Sequence, residues 1–314
     1  MVKSVIARTF CNARGYSVTC KLDMSPVGAS SDLAVVFSRC AEPGLGAARA
    51  LSQQSIPFHV YQKGGACNSS RGLQLLMQVE ALKGAHVRRM EQNAGDECAA
   101  YLQYVHDEYE KLPSAIVFLQ YASEHQLVLP SVAHAAQLAG RAISQRGLGF
   151  VALGRHSFEG LWPAPCEATG KQATFRRCSE LIWRDDLGVA PPRAFRFFAN
   201  GLFAVSRERV RARPRAWYAA AAARLSGSAP ARCDGPDTRR RAGASNRLVG
   251  DCHVLEKAWH VVFGESPILP APHVYDALRA PNQTLRQGGR FYERTPRGSC
   301  TAGVPPEAAT PEAG

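Results

Sequence analysis

A polar cluster precedes an apolar-striped helix in the stretch NAGDECAAYLQYVHDEYEKLPSAIVFLQ, residues 93–120. The cluster consists of Asn93, Gly95, Asp96 and Glu97, and two interpretations are open. Asn93 or Asp96 can accept hydrogen bonds from the free N–H groups of the first helical turn, where acidic residues also suit the helix dipole. The position between a strand and a helix is equally where open parallel sheets bind ligands. There the acids would bind a sugar hydroxyl, or a phosphate through a metal.

A second cluster follows another predicted strand and consists of Tyr61, Lys63, Gly64 and Gly65. Glycines permit a ligand to approach the backbone closely, and a lysine ammonium can bind a phosphate. The alternative is an ordinary turn that ends the strand.

A third cluster, His253, Glu256 and His260, lies near one face of the last predicted helix because its spacings are three, four and seven. It predicts either the polar side of an amphipathic helix or a site with two histidines and one carboxylate, although one helix rarely supplies every metal ligand. A carboxylate beside an imidazole is also a candidate general base.

The elements that must position these clusters begin with a βαβ unit. Residues 32–40, DLAVVFSRC, are short, continuous and apolar, which predicts a buried strand. A helix over 42–54 and a strand over 57–63 follow, so that the order strand, helix, strand predicts a parallel sheet.

The rest of the chain continues this alternation. The sequence predicts helices over 73–84, 96–110, 131–146 and 251–264, strands over 86–90 and 114–120, a strand or loop over 149–154, and a segment over 197–225 that opens as a strand and turns helical after Ser206. We therefore expect a single α/β domain over 32–264 with a mostly parallel sheet flanked by helices. A loose leader over 1–31, a disordered insertion over 226–250 rich in Gly, Ser, Pro and Arg, and an irregular tail over 265–314 complete the expected organisation.

Composition indicates the cellular compartment and the class of protein to expect. The 314 residues contain no apolar run long enough to span a membrane, and the start of the chain lacks the apolar centre of a signal peptide. We therefore expect a cytoplasmic protein, or one in the secretory lumen if the N-terminus is incomplete. The ten cysteines form no CxxC pair and are interpreted as scattered thiols in a reducing compartment.

The net charge of +12 is carried largely by arginine, with clusters at residues 207–215 and 239–241. Such an excess favours anionic partners, including nucleic acid. Apart from Trp217 and Tyr218, however, the clusters lack interleaved aromatic residues, so a nucleic-acid-binding protein is the third-ranked hypothesis.

The order of the motifs LAVVFSR, VYQKG, NAGDECAAYLQYVHDEYEKLPSAIVFLQ, GLFAVSRERVRARPRAWY and HVLEKAWHVVFG resembles the domain-of-unknown-function family numbered 3431. The family pattern falls on Arg39, Tyr61, Lys63, Asn93, Gly95, Glu97, Tyr101, Leu102, Pro113, Phe118, Gln120, Ser206, Arg207, Glu256 and Trp259. The chain departs from it at Asp96, where Arg is common, and at YASEH after Phe-Leu-Gln, where a Gly and acidic residues are expected. The second departure puts a metal-binding role of this loop in doubt.

The element order of that family is similar to that of nucleotide-sugar-dependent glycosyltransferases of the GT-A type, which is an analogy of fold. It implies a glycosyltransferase-like protein that uses a nucleotide-sugar and a carbohydrate acceptor. In this interpretation Arg39 and Lys63 would bind the donor diphosphate, and Asn93 and Glu97 would bind the sugar or help to hold a divalent cation. Tyr61, Gly95 and Gln120 would make further contacts with the substrate. Glu256, with His260 nearby, would be the catalytic base. The absence of Asp-x-Asp, which usually holds the cation, keeps a non-catalytic carbohydrate- or nucleotide-binding module as the alternative.

Overall fold

The computed structural model describes residues 10–14, 17–21, 32–127, 129, 131–154, 157–161, 170–192, 194–230, 232–233 and 250–269. Its strands are β1 (Phe10–Arg14), β2 (Ser17–Lys21), β3 (Leu33–Arg39), β4 (Phe58–Gln62), β5 (Ala85–Arg89), β6 (Ala115–Gln120), β7 (Phe150–Ala152), β8 (Ser157–Leu161), β9 (Ala194–Phe198) and β10 (Phe203–Ser206). Its α-helices are α1 (Gly46–Gln53), α2 (Ser70–Glu80), α3 (Asp96–Glu108), α4 (Val132–Arg146), α5 (Gly170–Leu181), α6 (Arg207–Arg211), α7 (Arg215–Ser226) and α8 (Asp251–Val262).

Six strands form the central sheet, in the order β5-β4-β3-β6-β10-β7. Strands β3, β4, β5 and β6 run parallel to one another, and β10 runs antiparallel to both β6 and β7. Every residue of β3 is buried, as the continuous apolar run predicts for a strand covered on both faces. The predicted fold class is therefore confirmed: a single mixed α/β domain whose sheet is flanked by helices.

Helices cover both faces of the sheet. Gly140 of α4 lies against Leu33, since a Cβ added to this glycine would be 3.4 Å from the Leu33 side chain. Tyr101 of α3 instead packs on Phe118, with ring centroids 4.9 Å apart, and Phe118 pairs with Val36 in the sheet. Because successive side chains of a strand point to opposite faces, Leu33 and Val36 place α4 and α3 on opposite sides.

The structure differs from the sequence prediction in several segments, and helix α5 is one that was not predicted. Residues 10–14 and 17–21 form an antiparallel hairpin within the predicted loose leader. The expected strand near residue 197 is two strands, β9 and β10, separated by a turn in which Asn200 has φ 71°. The small sheet of β8 and β9 was not predicted.

Two predicted irregular segments lie largely outside the described residues. Of the expected disordered insertion, the structure describes 226–230, 232–233 and 250, and of the expected tail it describes 265–269. No helix in the described part of the chain is long and apolar enough to cross a membrane.

Candidate functional site

A cleft of about 460 Å³ opens at the carboxyl ends of β3, β4 and β6. The chain passes from β3 outward to β4 and β5, and then places β6 on the other side of β3. Open α/β sheets bind ligands at such a reversal, because the loops that leave the two central strands diverge there. The cleft is lined by Ser38, Cys40, Glu42, Lys63, Asn93, Asp96, Glu97, Gln120, Tyr121, Ala122, Ser123, His125 and Gln126. Four predicted site residues, Lys63, Asn93, Glu97 and Gln120, are thus brought together.

Lys63 follows β4 and is held by the turn that the glycines make. Its backbone N–H donates to the carbonyl oxygen of Arg39 at 2.9 Å, and its side chain is only 5% exposed. A Cβ on Gly64 would lie 2.1 Å from the carbonyl oxygen of Glu91, so only glycine lets these two backbone segments meet. The close approach fixes where Lys63 enters the cleft.

Helix α3 begins at Asp96, and its N-cap is Gly95 in the left-handed region at φ 66°. A Cβ on Gly95 would lie 2.7 Å from the Cβ of Leu225, because α7 packs directly on this turn. The N-cap is therefore a glycine, which has no side chain to accept a bond, and not Asn93 or Asp96 as the capping interpretation expected. Gly95 does not line the cleft, and its role is to shape the turn that carries Glu97.

Glu97 is the cleft residue whose electrostatics are most perturbed. Burial and, next in size, the nearby charge of Glu256 raise the pKa of Glu97 from 4.5 to about 7. Asp96 raises it further, while the backbone N–H of Glu97 and the ammonium group of Lys63 lower it. A carboxyl group that titrates near neutral pH in a cleft is a candidate for acid–base chemistry.

Glu256 and His260, the predicted catalytic pair, do not line this cleft. The Oε1 atom of Glu256 accepts a hydrogen bond from the N–H of Asn200 at 2.7 Å. His260 is 2% exposed, its Nε2 lies 3.1 Å from the carbonyl oxygen of Pro267, and burial lowers its pKa to about 4. The prediction that His260 works beside Glu256 at the substrate is corrected, because packing directs the ring into the core.

Arg39 was expected to meet a donor diphosphate, and the structure corrects this as well. Its side chain is 0% exposed and donates hydrogen bonds to Gln62 Oε1 and to the carbonyl oxygen of Glu42. The guanidinium also lies 5.2 Å from the ring centroid of Tyr121. Arg39 therefore supports the floor of the cleft from below.

Tyr61 is likewise absent from the cleft wall. Its hydroxyl donates to Asp107 Oδ2 at 3.0 Å, and the residue lines a separate cavity of about 290 Å³. Tyr61 and Lys63 are two residues apart, so strand alternation would put both side chains on one face, but Lys63 lies beyond the end of β4 at Gln62 and is not bound by that alternation.

The sequence reasoning missed Ser123 and Gln126, which belong to the loop after β6. Ser123 is 3% exposed, and its Oγ has no hydrogen-bond partner among the described residues; the buried Oε1 of Gln126 has none among them either. The position of this loop at a strand end was a usable signal, but its residue types were interpreted only as a poor match to a metal-binding loop.

The side chains that the structure describes form no set of three free ligands for a divalent cation. Among these residues, the one group of three potential ligands with neighbouring donor atoms is Glu97, Cys98 and Cys252. Cys98 and Cys252 are joined in a disulfide, so they offer no thiolate. The expected help of Asn93 and Glu97 in holding a cation therefore finds no assembled ligand set.

Cysteine pairing also differs from the prediction of scattered thiols. Cys40 is bonded to Cys67, and Cys98 to Cys252, while Cys178 is buried as a free thiol. One bridge ties the end of β3 to the turn after β4, and the other ties α3 to α8 directly beside Glu97. Both therefore brace the elements that form the cleft.

The arginines of residues 207–215 bond to the backbone of neighbouring elements. Their side chains donate to backbone carbonyl oxygens: Arg207 to Leu112 at 3.1 Å, Arg209 to Gly264 at 3.2 Å, Arg211 to Glu110 at 2.9 Å, Arg213 to Val262 at 2.7 Å and Arg215 to His106 at 2.9 Å. Most of these carbonyls lie at or just beyond the ends of α3 and α8, where cations compensate unpaired acceptors.

Comparison with known proteins yields one family. The model of the family described as "Protein of unknown function (DUF3431)" matches residues 78–277, which is more than half of the chain. No curated protein matches the sequence. The match includes the helix that carries Glu97, the strand β6 and the helix α8, and on this evidence the chain belongs to the DUF3431 family.

Proposed function

We propose that this protein is a glycosyltransferase-like enzyme that transfers a sugar from a nucleotide-sugar donor to a hydroxyl group of a carbohydrate acceptor. The observation that carries the proposal is the meeting of Lys63 and Glu97 in one cleft at the reversal of strand order. Its volume of about 460 Å³ falls within the ~300–1,000 Å³ of small-molecule sites.

Each polar group has a role that its chemistry supports. The ammonium group of Lys63 meets the negative charge of the donor diphosphate, and Asn93 and Gln120 supply uncharged hydrogen-bonding groups to the same ligand. Glu97 takes the base role first expected of Glu256. It accepts the proton of the acceptor hydroxyl as that oxygen attacks the sugar carbon, while the bond from that carbon to the donor diphosphate breaks and the nucleoside diphosphate leaves. A pKa of about 7 suits a base that works near neutral pH.

A donor screen tests the proposal, with a panel of nucleotide sugars offered with and without manganese. Glu97→Gln should reduce turnover about 10²–10⁴-fold while donor binding persists, since it removes only the base. Lys63→Met should weaken donor binding about 10–100-fold, the range for a lost hydrogen bond to a charged group. Lys83→Met, at an exposed position, is the matched control. Transfer that survives both cleft substitutions would contradict the assignment.

A non-catalytic carbohydrate- or nucleotide-binding module is the second candidate. The observation that favours it is the loop over residues 121–126, which has no Asp-x-Asp and lines the cleft with Ser123, His125 and Gln126 instead. Calorimetry separates the two candidates, because a module would bind the donor without turnover.

A nucleic-acid-binding function remains the third hypothesis. The five arginines of residues 207–215 are engaged with backbone carbonyl oxygens, which leaves less of their hydrogen-bonding capacity for phosphates. A steep fall of affinity with salt would be its signature.

For the compartment, we propose an oxidising one, such as the secretory lumen, in place of the cytoplasm first expected. Disulfides persist in oxidising environments and are rare in the cytosol. The redox state of Cys40, Cys67, Cys98 and Cys252 in protein isolated from its native cells tests this.

A further inference from the structure

The loop that follows β6, residues 121–126, carries two buried polar atoms that pair with no other described residue. They are Oγ of Ser123, a residue that is 3% exposed, and Oε1 of Gln126. Both residues line the cleft. Buried polar groups in native proteins are nearly always hydrogen-bonded, so two unpaired groups on one wall indicate a ligand that supplies the missing bonds.

The loop is held in place by backbone hydrogen bonds and by Arg39. The Tyr121 N–H donates to the carbonyl oxygen of Ser38 at 3.0 Å, and its ring is covered by the buried guanidinium of Arg39. The Gln126 N–H donates to the carbonyl oxygen of Ser123 at 2.8 Å, which closes the loop on itself. The two unpaired groups are therefore already positioned for a ligand, and little entropy is lost on binding.

The chemistry of these groups selects the ligand. An amide oxygen only accepts hydrogen bonds, so the partner of Gln126 Oε1 must donate one, which a phosphate or carboxylate at neutral pH does not. A serine hydroxyl both donates and accepts. Neighbouring hydroxyl groups on one sugar ring satisfy both side chains, because each hydroxyl donates and accepts as well.

We propose that residues 121–126 bind the hydroxyl groups of a sugar ring through Ser123 and Gln126. The inference rests on the proposed function and deepens it, because it gives the uncharged loop a role in holding the ribose or the transferred sugar of the donor. Lys63 remains the group that meets the diphosphate.

Ser123→Ala is a clean test because it removes an oxygen that bonds to no other residue in the described part of the chain. Its melting temperature should match that of the wild type. Ser144→Ala is the matched control, since Ser144 lies on α4 and donates to the carbonyl oxygen of Gly140 at 2.8 Å. Affinities are measured by calorimetry for UDP, its 2′-deoxy and 3′-deoxy counterparts, UDP-glucose, and the corresponding guanosine series.

Ser123→Ala should weaken binding about 3–10-fold, the range for one neutral hydrogen bond. If Ser123 binds the ribose, Ser123→Ala should bind UDP or GDP more weakly than the wild type does. The deoxy counterpart that lacks the contacted hydroxyl already binds the wild type more weakly, and the substitution should not weaken it further. If it holds the transferred sugar, the sugar nucleotide loses affinity and the free diphosphate does not.

Two results would overturn the inference, and they differ from each other. Wild-type affinity of Ser123→Ala for every probe, or an equal loss for all of them, removes the hydroxyl assignment and leaves the proposed function standing. No binding of any nucleotide or sugar nucleotide to the wild-type protein overturns the proposed function, and the inference with it.

Discussion

Replacement of Glu97 by glutamine should make the protein more stable at alkaline pH while it disables the site. In the folded state the pKa of Glu97 is about 7, against 4.5 for an unperturbed glutamate. The folded protein therefore keeps a proton on this group that the unfolded chain loses above pH 4.5. As pH rises through this window, ionisation favours the unfolded state, and the free energy of unfolding falls.

The magnitude follows from the two pKa values. A tenfold change in proton affinity corresponds to about 1.4 kcal/mol, so the buried carboxylate costs the folded state about 3 kcal/mol once the pH is above 7. Glutamine has nearly the same shape and never ionises. Glu97→Gln should therefore match the wild type near pH 4.5 and exceed its stability by about 3 kcal/mol at pH 8.

Urea denaturation at pH 4.5, 6 and 8, followed by fluorescence of the four tryptophans, measures this difference. Glu110→Gln, on the exposed end of the turn after α3, is the control and should show no comparable change with pH. A stability difference between Glu97→Gln and wild type that is the same at pH 4.5 and pH 8 would refute the assignment. It would mean that burial and Glu256 do not hold Glu97 in its neutral form.

Two further predictions concern the elements that build the cleft. Gly64→Ala should destabilise the protein by about 1–3 kcal/mol, the usual cost of overpacking, because its Cβ would meet the carbonyl oxygen of Glu91. Gly46→Ala is the control, since a Cβ there meets nothing within 4 Å. A urea midpoint of Gly64→Ala that is no lower than that of the control would contradict the close approach. In protein from its native cells that is denatured without reductant, Cys40, Cys67, Cys98 and Cys252 should not react with an alkylating agent until reductant is added. Peptides in which these cysteines are alkylated before reduction would exclude the two bridges and the oxidising compartment.

Local pattern was sufficient for the core of the fold and for four residues of the cleft, Lys63, Asn93, Glu97 and Gln120. The apolar runs that became β3 and β6 could be recognised because a strand covered on both faces has no alternation to obscure it. Lys63 and Glu97 could be placed together because the carboxyl ends of parallel strands share one edge of the sheet. Both inferences depend only on periodicity and strand direction.

Other features depended on which segments meet in space. Strand β10 inserts antiparallel between β6 and β7, and nothing in its own residues specifies those partners. The pairing of Cys98 with Cys252 spans 154 residues, so no spacing rule indicates it. Arg39 ends β3 and Lys63 follows β4, so their positions along the chain are similar. The arginine is nevertheless buried and donates to the carbonyl oxygen of Glu42, while the lysine lines the cleft.

The sequence by itself determined the α/β class, the order of the central elements and the edge of the sheet where a ligand would bind, because these follow from periodicity and chain direction. Only the tertiary structure decided which carboxylate faces that edge. Glu256 is drawn to the backbone of Asn200 and His260 into the core, whereas Glu97 lines the cleft with a pKa near 7. The reason is physical: the direction and the ionisation of a side chain depend on its neighbours in space, and those neighbours come from distant parts of the chain.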